Sequence, residues 1–121
     1  MKKYFLMTIV TIFLFLSCKN VHYPDIPINV IAIKQESGCM LNWDPSPADV
    51  SCNEQDNIFY IILRNVNINS PYKVIGKTKK GVTEFLDRDV QQGRIYNYII
   101  YASWDHYRSN PSLPVTVDYT K

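Results

Sequence analysis

The chain has 121 residues, with 13 basic and 11 acidic side chains. That is enough for one small domain. With no basic stripe and no basic run beyond Lys77, Lys79 and Lys80, nothing points to nucleic-acid binding.

The N-terminus reads as a targeting segment. Met1-Lys2-Lys3 is basic, and Tyr4 to Leu16 is apolar apart from Thr8 and Thr11. This apolar run of about 13 residues falls short of the ~20 that span a bilayer. A short run behind a basic start, with a small residue before the cut, describes a secretory signal. A transmembrane anchor is the alternative.

Phe15-Leu16-Ser17-Cys18 resembles the lipobox of bacterial lipoproteins, although Phe15 departs from the commoner Leu. The resemblance implies a diacylglyceryl thioether on Cys18, an acylated amino group and anchoring to a membrane. It divides the chain into a signal peptide (1–17), a short tether (18–25) and a domain (26–121). Without Lys2 and Lys3, 11 basic residues face 11 acidic ones, so the mature chain carries no formal net charge. Lys19 stands where an Asp would retain a lipoprotein at the inner membrane, which favours the outer membrane. The tether is short: seven residues reach at most roughly 25 Å.

Past Pro24 and Pro27 the chain alternates in period two. Ile28–Lys34 is the first expected strand, and Glu36-Ser37-Gly38 a turn. Cys39–Trp43 is the second, with Cys39, Leu41 and Trp43 on one face. Asp44-Pro45-Ser46-Pro47 breaks it, and a polar loop continues to Asn57. Cys52 lies in that loop. In an exported chain, Cys39 and Cys52 are an even pair; a disulfide would pin the loop, and two buried thiols are the other reading.

Ile58–Arg64 is the third strand, Asn65–Pro71 a turn region, and Tyr72–Thr78 the fourth strand, followed by the turn Lys79-Lys80-Gly81. Phe85 begins a strand that turns at Asp87-Arg88-Asp89 and Gly93. The sixth strand then alternates Tyr96, Tyr98, Ile100 and Ala102 against Asn97, Ile99, Tyr101 and Ser103. Asp105–Asn110 is a hairpin loop, and Leu113–Tyr119 the last strand. Seven short strands without helical periodicity indicate a sandwich or barrel.

In order and spacing these pieces resemble a fibronectin type III domain over nearly the whole mature chain. The matching residues are Pro27-x-Asn29, Leu41-x-Trp43, Tyr60-x-Ile62-x-Arg64, Phe85-x-Asp87-x-Asp89-Val90, Gly93-x-x-Tyr96-x-Tyr98-x-Ile100-x-Ala102 and Asn110-Pro111-Ser112. The resemblance implies an all-β, seven-stranded antiparallel immunoglobulin-like sandwich. Trp43 would fill the space between the sheets, and Tyr96 would form a tyrosine corner by bonding backbone upstream.

Candidate chemistry is sparse. His22 and His106 lack a neighbouring nucleophile motif, and the sequence has no metal-ligand spacing. Asp44, Asp49, Glu54 and Asp56 share a loop that solvation explains better than calcium. No cofactor and no catalytic residue is expected. Two surfaces are candidates. If Tyr60, Ile62, Tyr98 and Ile100 point inward, then Ile61, Leu63, Ile99 and Tyr101 form an apolar outer patch suited to a protein partner. Trp104, His106 and Tyr107 at a loop tip suit a glycan. The leading reading is a membrane-anchored, non-catalytic binding or scaffolding module. A glycan-binding accessory module is the alternative.

Overall fold

The computed structural model describes residues 24–46, 57–104 and 106–121. Cys18, His22, Asp49, Cys52, Glu54, Asp56 and Asp105 lie outside the described residues.

Among the described residues, eight strands follow in chain order: β1 (Ile28–Gln35), β2 (Gly38–Asp44), β3 (Phe59–Val66), β4 (Lys73–Lys77), β5 (Glu84–Asp87), β6 (Ile95–Trp104), β7 (Tyr107–Arg108) and β8 (Val115–Asp118). All pairings are antiparallel. One sheet runs β1-β2-β5; the other runs β4-β3-β6, with β7 and β8 successively on the far side of β6.

Alternation places one set of side chains between the sheets. Cys39, Leu41 and Trp43 from β2 meet Tyr60 and Ile62 from β3, and Tyr96, Tyr98, Ile100 and Ala102 from β6. These are the expected inward faces. Trp43 sits edge-on to Tyr60, with ring centroids 5.2 Å apart. The tyrosine corner also forms: the Gln91 amide donates to the Tyr96 hydroxyl at 2.8 Å. Beside it Gly93 adopts φ 90°, in the left-handed region that disfavours other residues.

The final strand differs from expectation. The hairpin loop expected at Asp105–Asn110 contains β7, which pairs Trp104 with Tyr107 and Ser103 with Arg108. The expected strand from Leu113 forms only as Val115–Asp118. Pro111 and Pro114 interrupt the edge because neither has an N–H to give the ladder. Two buried serines fill the gap. The Ala102 amide donates to Ser109 Oγ and the Ile100 amide to Ser112 Oγ, both at 2.9 Å. The Ser109 and Ser112 amides donate in turn to the carbonyls of Ala102 and Ile100.

The Cys39–Cys52 pairing expected from the sequence rests on Cys52, which lies outside the described residues. Cys39 is a free thiol with no exposure, in the core near the start of β2.

Candidate functional site

The larger sheet brings the four predicted patch residues together. Ile61 pairs with Tyr101 and Leu63 with Ile99 across the β3–β6 ladder. On the other side of β3, Leu63 pairs with Val74 and Ile61 with Lys77. An apolar row therefore crosses three strands as Val74–Leu63–Ile99, on the face away from the core. Its exposure is uneven, which corrects the expected open patch. Ile61 and Ile99 retain only 9% and 8% exposure, because large cross-strand neighbours cover them. Leu63 and Tyr101 are half-buried, and Val74 is exposed. The Arg108 guanidinium lies over the Tyr101 ring, 4.9 Å from its centroid.

The second predicted surface forms at the β6–β7 hairpin. Trp104 and Tyr107 stack with centroids 6.0 Å apart and planes 24° apart. Trp104 also packs against the core cluster. Its ring faces are thus largely engaged within the domain. His106 is exposed beside them.

Asp44, from the acid-bearing loop, accepts a hydrogen bond from Asn29 Nδ2 at 2.6 Å. Among the described residues, no group of three or more His, Cys, Asp or Glu side chains could hold a metal ion.

A charged cluster inside the sandwich went unassigned in the sequence. Arg64, third on the inward face of β3 after Tyr60 and Ile62, reaches Asp87 at the end of β5. Arg64 Nη1 donates to both Asp87 oxygens, at 3.0 and 2.8 Å. The Tyr98 hydroxyl donates to Asp87 Oδ2 at 2.7 Å, and the Asp89 amide to Asp87 Oδ1 at 3.1 Å. Burial alone would lower the Arg64 pKa, but its bonds and charge interaction with Asp87 more than reverse this and hold it above the ordinary value. Burial, then the Asp87 carboxylate, pushes the Tyr98 phenol far above its usual range. Burial also pushes the Cys39 thiol up, so it is held protonated and is a poor nucleophile. These groups satisfy one another, and the arrangement ties the two sheets together.

The outer face of the smaller sheet carries further exposed apolar side chains. Val30 and Ala32 pack on the core, so Ile31 and Ile33 point out, and each is about half exposed. Ile33 pairs with Met40, and Met40 with Leu86, across the sheet. The alternation of Val30-Ile31-Ala32-Ile33 carried that signal.

No family model matches the chain, and no curated protein matches it. Solved structures do. An Fn3-like protein from Clostridium thermocellum is 24% identical, aligned over 83% of this chain and 97% of that one, with TM-score 0.64. A structure described as a myokine is 19% identical over 81% of this chain and 99% of that one, with TM-score 0.63. The twitchin kinase region from C. elegans, which includes an Fn3 domain, is 20% identical over 81% of this chain and 17% of that one, with TM-score 0.68. With the two antiparallel sheets and the tyrosine corner, these likenesses define the fold as that of a fibronectin type III domain.

Proposed function

We propose that this chain is a lipid-anchored, non-catalytic binding or scaffolding module that presents a fibronectin type III domain to a protein partner at the bacterial cell envelope. The single observation that supports it most is the Val74–Leu63–Ile99 row, bordered by Tyr101 under Arg108 and by Lys77 on β4. An apolar centre with a cationic rim suits a protein surface with a matching apolar spot and acidic surroundings. Anchoring rests on the Phe15-Leu16-Ser17-Cys18 motif, with lipid on Cys18 and the outer membrane as its location. The glycan reading of Trp104, His106 and Tyr107 is weaker, because a sugar needs an open ring face and Trp104 is engaged by Tyr107 and the core.

The test is a photo-crosslinking residue placed at Leu63 in the full chain in intact cells. A discrete protein adduct that disappears with Tyr101→Lys supports the reading. The absence of any adduct, or an adduct indifferent to Tyr101→Lys, overturns it.

A further inference from the structure

Among the described residues, exposed apolar side chains gather on the β1 flank: Ile26, Ile28, Ile31 and Ile33. Asn29 takes φ 55° and the β1–β2 register shifts between Ile28 and Ile31. That irregularity turns Ile26 and Ile28 outward around the sandwich edge, while Ile31 and Ile33 continue along the outer face. Across the edge, Leu113 is 86% exposed. The two sides border a groove of about 420 Å³ with walls of Ile26, Pro27, Ile28, Val30, Leu113 and Pro114. Lys34 holds the edge shut farther along, donating to the Asp118 carbonyl and lying over the Tyr119 ring.

The position of the tether selects the occupant. β1 begins three residues after Asp25, and the Asp25 carbonyl is bonded by Ser46 Oγ at 2.6 Å, which fixes the head of the strand. Only residues 19–23 separate the lipid-bearing cysteine from Pro24, a span of at most roughly 21 Å at full extension. The exposed isoleucines are therefore held within reach of the bilayer that holds the acyl chains. A second domain or a distant partner would have to compete with a surface present at every moment.

We infer that the β1 flank, through Ile26, Ile28, Ile31 and Leu113, rests on the phospholipid surface and orients the domain on the membrane. The inference depends on lipidation of Cys18 as proposed above. The contact is apolar, at the boundary of headgroup and acyl chain. Asp44, the acid beside Ile28, is engaged by Asn29. In this orientation β4, on the opposite flank, stands away from the lipid, and the outer face of the larger sheet stays open to a partner.

The experiment uses the full lipidated chain in phosphatidylethanolamine–phosphatidylglycerol vesicles, with Cys52→Ser as background. A fluorophore is attached at Ile31→Cys, Leu113→Cys or, as control, Lys77→Cys on β4, and is quenched by nitroxide-bearing lipid. The acyl groups on Cys18 are checked separately by mass. Quenching several-fold stronger at 31 and 113 than at 77, and reduced by Ile28→Glu, supports the inference. Equal quenching at all three sites on an acylated chain overturns it alone, as does protection of 31 and 113 by a second copy in detergent. A chain without acyl groups overturns the anchoring reading itself, and this inference with it.

Discussion

Arg64 of the larger sheet and Asp87 of the smaller one face each other across the sandwich, with side chains only 14% and 5% exposed. One guanidinium nitrogen spans both carboxylate oxygens, and Tyr98 supplies a further donor. A charge buried this deeply is tolerable only while every lone pair is occupied. Replacing Arg64 with Met strands the carboxylate and should cost about 3–5 kcal/mol in urea unfolding. Removing both charges, as Arg64→Met with Asp87→Leu, should recover much of that loss. Strictly additive losses would contradict the coupling.

The serine-filled edge makes a second prediction. Ser112→Ala leaves the Ile100 amide without its Oγ acceptor, and Ser109→Ala does the same to Ala102. Each should cost about 1–3 kcal/mol, the penalty for an unsatisfied buried amide. Amide exchange at Ile100 should quicken in Ser112→Ala. An unchanged unfolding midpoint would show that the hydroxyls are incidental.

Stability should fall at alkaline pH. The Cys39 thiol and Tyr98 phenol are raised from ordinary values of 9.0 and 10.0. In both cases burial is the largest cause. The folded chain keeps these protons after the unfolded chain has lost them, so rising pH favours unfolding. Their contribution is complete below about pH 7.5 and declines above it, as the unfolded groups titrate. Denaturant titrations from pH 7 to 11 should show the decline, and Tyr98→Phe should make it shallower.

Gly38 and Gly93 separate crowding from backbone strain. Gly38 has φ 145°, and a Cβ there would lie 2.2 Å from the Asp87 carbonyl oxygen. Gly93 has φ 90° with open space around it. Ala at Gly93 should cost roughly 1–2 kcal/mol, the left-handed penalty alone. Gly38→Ala should cost more, because backbone must also move. Equal thermal shifts for the two variants would remove the distinction.

The inward faces of β2, β3 and β6 were legible because alternation alone determines them. The same alternation put Arg64 inward with Tyr60 and Ile62, but a charge on a core face has no partner in one dimension, and Asp87 was read only as a turn residue. Exposure on the outer faces was not legible either. Ile61 and Ile99 are covered because Tyr101 and Leu63 lie opposite them, and this depends on register. In the last strand, prolines shortened the ladder and serines replaced it, a substitution with no periodic signature.

The most direct measurement is crosslinking in intact cells from two positions in the same full chain, Leu63 and Leu113. A protein adduct from Leu63, and lipid adducts in place of protein from Leu113, is the result predicted for a membrane-resting domain that offers its larger sheet to a partner. A protein adduct from Leu113 and none from Leu63 would contradict the account.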